Sequence, residues 1–229
     1  MSPSKILIIA SVALGGPSAF AANIIDSIYG VGSGSFENPG HTIATFETYQ
    51  AGSIAITGWT VNTVNIDWVS SNLWNASDGN YLIDMNGDPG DAGSFQTVIP
   101  TTVGSTYRVS FDISGFVTPN SSSNPKTMET TAGGVTTFFS LDASVSTYPE
   151  PYALPFTLPW TSRSFDFVAT STSSTVIFAS LIPNEGSGMF LDNVSIEAVP
   201  EPSGVALLGA GVVGLALRRK RQIPAAEAF

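Results

Sequence analysis

The stretch from Ser105 to Ser114, STYRVSFDIS, decides the fold. Along an extended chain Tyr107, Val109, Phe111 and Ile113 fall on one side, and Arg108, Ser110, Asp112 and Ser114 fall on the other. That period of two belongs to a strand with one buried face and one face toward water. The same grammar recurs on both sides of it. SIAITGWTV, VNIDWVS, NYLIDM, GSFQTVI, VTTFFSLDA, TSRSFDFVAT, STVIFASLI and GMFLDNVSIEA are short runs rich in Val, Ile, Thr, Phe and Tyr, set between Gly, Asn, Asp, Pro and Ser. No stretch of the central chain holds an apolar period of 3.6. Nine such strands in one domain predict an all-β antiparallel sandwich, a jelly roll. The Ser- and Pro-rich segments TPNSSSNPKT and STYPEPYALPFTLP are expected to be its long loops.

The two ends carry addresses. Lys5, the apolar run Ile6–Leu14 and Ala19-Phe20-Ala21 follow the order of a secretory signal over residues 1–21. At the other end Pro200-Glu201-Pro202 precedes an uncharged run from Gly204 to Leu217, and Arg218, Arg219, Lys220 and Arg221 follow. As a helix, the 14 residues of that run reach only about 21 Å, short of the ~30 Å of a hydrocarbon core. The basic cluster orients such a segment with its C-terminus in the cytoplasm. The expected organisation is a signal over 1–21, one sandwich over 22–198, a sorting segment over 199–221 and a tail over 222–229.

Between the ends the charge is lopsided. Of the 8 Lys and Arg only Arg108, Lys126 and Arg163 remain, against 16 of the 18 Asp and Glu, a net charge of −13. Such a surface repels phosphate, which argues against nucleic acid and anionic lipid as partners of the domain. The chain has no cysteine, so thiol chemistry and a disulfide scaffold are excluded. The single histidine, His41, sits in a Pro-Gly-His-Thr loop with nothing nearby to complete a triad, and is expected to be a solvated side chain.

The tail, read as Pro-Glu-Pro, short apolar helix and basic cluster, resembles the PEP-CTERM sorting signal of Gram-negative bacteria. That resemblance implies transient anchoring in the inner membrane, processing by an exosortase-type enzyme, and a place at the cell surface or outside the cell beside exopolysaccharide. Within the domain, GSFENPG, ITGWTV, VNIDWV, WNASDGNYLIDMNG, GSFQTV, STYRVSFDISG, WTSRSFDFVATSTSSTVIFAS and LDNVSIE follow one another from Gly34 to Glu197. Their order and wording resemble the choice-of-anchor C family, which is similar to a plant cell-wall domain family and to galactose-binding-like jelly rolls, carbohydrate-binding modules among them. In related carbohydrate-binding jelly rolls the Glu of the first phrase and the Asp of the last meet at a structural Ca²⁺. The resemblance therefore implies Glu37 and Asp192 as metal ligands. The alternative is that Glu37 caps a turn and Asp192 bonds backbone amides.

The Asp84-Met-Asn-Gly-Asp-Pro-Gly-Asp91 run opens like a Ca²⁺ loop, but Pro89 and Phe95 stand where an EF-hand needs Gly and Glu. A strand end entering a turn is the expected structure there. Of the four tryptophans, Trp59 and Trp68 lie within strand patterns and are expected in the core. Trp160 follows a Pro-rich loop and could face either way. Trp74, in a loop-like stretch, is the expected exposed platform for a sugar ring, with Asp78 and Tyr81 beside it. The expected function is that of a non-catalytic exported protein binding exopolysaccharide or another cell-surface glycan. Two alternatives stand beside it: a structural or adhesive biofilm protein without a defined ligand, and a glycan hydrolase using paired carboxylates.

Overall fold

A computed structural model describes residues 22–117, 123–145 and 154–200. The signal segment and the sorting tail beyond Pro200 lie outside the described residues, as do parts of both expected long loops. Among the described residues no helix is long and apolar enough to cross a membrane.

In chain order the elements are α1 (Ile24–Tyr29), β1 (Phe46–Gln50), β2 (Thr60–Thr63), β3 (Asn65–Ser70), β4 (Tyr81–Asp84), β5 (Asn86–Gly87), β6 (Asp91–Ala92), β7 (Ser94–Pro100), β8 (Thr106–Ser114), β9 (Lys126–Ala132), β10 (Val135–Leu141), β11 (Thr161–Val168), β12 (Ser173–Ser180) and β13 (Phe190–Ala198). A six-stranded sheet runs β1-β3-β4-β13-β8-β11 and a five-stranded sheet runs β10-β9-β12-β7-β2. All the pairings in both sheets are antiparallel. The expected all-β jelly-roll sandwich is the observed fold.

The deciding stretch sits next to one edge of the six-stranded sheet, between β13 and β11. Tyr107, Val109, Phe111 and Ile113 point into the space between the sheets with Trp68, Ile83 and Leu191. The five-stranded sheet answers with Phe95, Ile99, Met128, Val176 and Phe178. Trp59 lies flat on Phe95, ring centroids 4.6 Å apart, and Trp68 stacks on Tyr81 at 4.1 Å. Burial of this apolar surface is what holds two cysteine-free sheets together.

Three expectations change. SIAITGWTV is a strand only from Thr60 onward; Ile56 and Trp59 reach the core from a loop. Two strands escape the apolar-run criterion. FETYQ forms β1, an edge strand half open to water, and KTMETTA forms β9, whose inward positions are Lys126, Met128, Thr130 and Ala132. Lys126 thus belongs to a strand and not to a loop, and it buries its ammonium against the Ser187 carbonyl at 2.7 Å. The wet side of β8 is wet only at its start. Arg108 is exposed and pairs with Asp166, whereas Asp112 and Ser114 are buried.

The cover over Asp112 and Ser114 comes from two loops that cross the outer face of the six-stranded sheet. Asn75 N–H donates to the Phe156 carbonyl at 3.0 Å, Phe156 N–H to the Leu73 carbonyl at 3.0 Å, and the Trp160 indole to the Asn75 carbonyl at 3.0 Å. Beneath them Val69, Leu82, Phe116, Leu158 and Phe190 form a second, smaller core. The molecule therefore has an extra apolar layer on one face of the sandwich, and its five-stranded sheet keeps the more open one.

Candidate functional site

The two carboxylates expected to share a cation converge on one loop instead, from two sides. Asp192, fully buried on β13, accepts the Ser77 N–H at 2.7 Å and the Asp78 N–H at 2.9 Å on Oδ2, and the Asn193 N–H at 2.6 Å on Oδ1. Glu37 accepts the Asn80 N–H at 2.8 Å and the Tyr81 N–H at 2.9 Å on Oε1, and the Asn80 side-chain amide at 3.2 Å on Oε2. Every one of these contacts is an N–H donor, and no oxygen from the loop joins them. The donor set fits an amide clamp over residues 77–81 and does not fit a Ca²⁺ shell, which needs several converging oxygens. Gly79 is required under the clamp: its φ is +70° and a Cβ there would lie 2.5 Å from the Glu37 carboxyl carbon. Burial pushes the Asp192 carboxyl up to about 8 despite its three amide donors.

The expected sugar platform is also rearranged. Trp74 is half-buried in the smaller core, stacked on Phe190 at 4.7 Å and edge-on to Phe116 at 5.2 Å. Tyr81 points through the opposite face of the sheet and is buried against Trp68. Asp78 is exposed, but its backbone serves the clamp. The three residues are near in sequence yet lie on different sides of one sheet, so they present no common surface. Trp160 is half-buried, with its indole N–H bonded to the Asn75 carbonyl.

Paired carboxylates do occur. Asp112 and Asp192 are cross-strand neighbours on β8 and β13, and their environments differ. Asp192 is raised by burial. Asp112 is held below the usual carboxylate range by hydrogen bonds from Ser162, Ser77 and Asn193, which outweigh its own burial. Both lie beneath the covering loops, Asp192 fully buried and Asp112 nearly so. They cannot flank a glycosidic bond in this arrangement. His41 is half-exposed and shares a 2.9 Å bond with Glu47.

The open aromatic surface lies on the other sheet. Phe138, on the edge strand β10, is 67% exposed, the most open aromatic ring among the described residues. Its cross-strand neighbour is Glu129, followed by Ala179 and Ser94 along the same row. The adjoining row runs Thr136, Thr131, Ile177, Gln96 and Thr60 across all five strands. Apart from Ile177 these side chains are short or polar, so the face is shallow, with one ring standing at its rim. A sequence signal for it existed. In VTTFFSL two adjacent aromatics on a strand must point to opposite faces, so when Phe139 packs against the core Phe138 must face outward.

With this geometry in view, the chain can be compared with known proteins. Over 207 residues it is 30% identical to Halomucin of Haloquadratum walsbyi, an alignment covering 88% of this chain and 2% of that protein. The chain thus spans a very small part of the relative's length. Among solved structures it is similar to a CBM4 domain (15% identity, TM-score 0.38, 73% of this chain and 98% of that one). It is also similar to TmCBM61 in complex with β-1,4-galactotriose (14%, TM-score 0.40, 77% and 99%) and to CBM35 from Paenibacillus barcinonensis (18%, TM-score 0.38, 67% and 99%). Residues 198–221 match the PEP-CTERM protein-sorting motif, which marks the chain as an exported protein. Residues 31–197, nearly the whole sandwich, match the family described as "Protein of unknown function (DUF642)", and the chain belongs to that family.

Proposed function

We propose that this chain is a non-catalytic exported protein of the choice-of-anchor C type that binds exopolysaccharide or another cell-surface glycan through the outer face of its five-stranded sheet. The observation that carries the proposal is the juxtaposition of Phe138, Glu129, Thr131, Thr136 and Gln96 on one open surface. An aromatic ring offers the stacking plane that a sugar's C–H face needs, and hydroxyl, amide and carboxylate groups bond its hydroxyls. The acidic surface argues against phosphate-bearing partners. The tail supports delivery: an exosortase-type enzyme acts at the Pro200-Glu201-Pro202 segment while the Gly204–Leu217 run holds the chain at the inner membrane, and the domain is then released to the surface or beyond.

The test is retention of the full chain on the producer's own exopolysaccharide and on a panel of plain glycans. Saturable binding that falls at least ~10-fold in Phe138→Ala while the thermal midpoint is unchanged supports the assignment. Equal binding by wild type and Phe138→Ala, or none to any glycan by a folded chain, overturns it. A second reading, a structural or adhesive protein without a defined ligand, rests on the open edge of β10, where Val135 and Phe138 are exposed beside unpaired backbone. It predicts concentration-dependent self-association that Phe138→Lys abolishes.

A further inference from the structure

A second group of carboxylates, outside the clamp and unused by the glycan face, lies where β3 begins and β4 ends. Asp67 on β3 and Asp84 on β4 are direct cross-strand partners, and Asn65 precedes Asp67 by two positions on the same face. All three are buried, Asp84 at 0%, Asn65 at 3% and Asp67 at 8% exposure. The turn following β4 closes over them. Asp88 N–H donates to Asp67 Oδ1 at 3.3 Å, and the Asn65 side-chain amide donates to the Asp88 carbonyl at 2.8 Å.

The donors in this patch are already committed, and oxygen lone pairs are left over. Asp84 spends Oδ1 on the Asn86 and Gly188 N–H groups, at 2.9 and 2.8 Å, while its Oδ2 is buried without a partner. The Asn65 Oδ1 is likewise buried without a partner. Asp67 uses only Oδ1, for the Thr48 hydroxyl at 2.6 Å and the Asp88 amide. Two carboxylates directly opposite on neighbouring strands cannot both ionise without repulsion unless a cation joins them. The nearby cation, Lys126, gives its ammonium to the Ser187 carbonyl and acts on Asp84 only through its field, with no hydrogen bond to the Asp84 carboxylate.

We propose that Asn65, Asp67 and Asp84 hold a hard divalent cation of the Ca²⁺ class under the Asn86–Gly90 turn, and that this cation, not one at Glu37 and Asp192, is the domain's structural metal. Three oxygens from two strands supply part of the shell, and carbonyls of the turn or water complete it. The exposed Asp88 stands on that turn and adds negative potential over the entrance. The acidic loop read from sequence as a failed EF-hand thus contributes one ligand, Asp84, and the others come from the neighbouring strand, which no loop motif would include. The inference is independent of the glycan reading, since the site lies on the other sheet.

Titration of the chelator-stripped full chain with Ca²⁺, and separately with Mg²⁺, tests it by calorimetry and by the thermal midpoint. Uptake of one ion per chain, raising the midpoint and weakened about tenfold or more in both Asp84→Asn and Asp67→Asn, is the expected result. The Asn variants keep shape and hydrogen-bonding capacity, and circular dichroism verifies that they fold. Absence of uptake by the folded wild-type chain overturns the proposal, and so does uptake that survives in both variants but is lost in Glu37→Gln or Asp192→Asn.

Discussion

Asp192→Ala asks whether the two strand-end carboxylates clamp a loop or hold a metal. The substitution removes the acceptor for three backbone N–H groups, those of Ser77, Asp78 and Asn193. At neutral pH the raised Asp192 carboxyl is largely protonated, so each is an ordinary hydrogen bond with a net contribution of about 1 kcal/mol. The expected loss is therefore ~3 kcal/mol. Glu37→Ala removes three donors' partner as well, but Asn80 is exposed and regains water, so ~2 kcal/mol is expected. Because both residues grip the same five-residue loop, releasing it once forfeits part of what the other contributes. The double variant should then fall short of the sum by about 1 kcal/mol. Urea unfolding of the four chains measures the cycle, and amide exchange at residues 77–81 reports release of the loop. The losses should be equal in Ca²⁺ and in chelator. A loss under 1 kcal/mol for Asp192→Ala, or one present in Ca²⁺ and absent in chelator, refutes the amide clamp.

Other outcomes follow from the same geometry. Phe190→Ala empties the centre of the smaller core, where Phe190 is fully buried against Trp74 and Phe116, and should cost about 3–4 kcal/mol in urea unfolding while the strand signal in circular dichroism persists. Gly79→Ala combines a positive φ with a clash against Glu37, so it should destabilise by at least ~1 kcal/mol and speed amide exchange in the 77–81 loop. In chelator, Asp84 and Asp192 keep protons in the folded state that the unfolded chain releases near pH 4, because both folded values are raised to about 8. Stability should therefore fall as pH rises from about 4 to 8, by up to ~1.4 kcal/mol per pH unit for each group, and Asp84→Asn should flatten the slope. If the tail is processed as proposed, replacing Pro200, Glu201 and Pro202 by Ala should keep more of the chain in the inner-membrane fraction than wild type; equal distribution would show that these residues are not the processing signal.

Much of the fold could be read from particular residues. The alternation in STYRVSFDIS, NYLIDM and STVIFASLI fixes which side chains face the core, since a strand's period is a property of its backbone. Trp68 is legible as core for the same reason, whereas Trp59, expected in the core from a strand pattern, reaches it from the loop before β2. KTMETTA was not, because its inward residues are Lys, Met, Thr and Ala, and their burial depends on β10 and β12 arriving beside them. Trp74 was misread because its environment is made by Phe116, Phe156 and Phe190, which lie more than forty residues away in the chain.

By itself the sequence determined the class of the fold, the export address and the absence of thiol chemistry, because each rests on local period, local motif or composition. The tertiary structure alone decided what the carboxylates do. Glu37 and Asp192 became clamps because the loop at 77–81 presents five N–H donors to them. Asp67 and Asp84 became a buried, facing pair because β3 and β4 are in register. An aspartate's chemistry is set by the donors and charges around it, and those arrive from distant parts of the chain only when the sheets assemble.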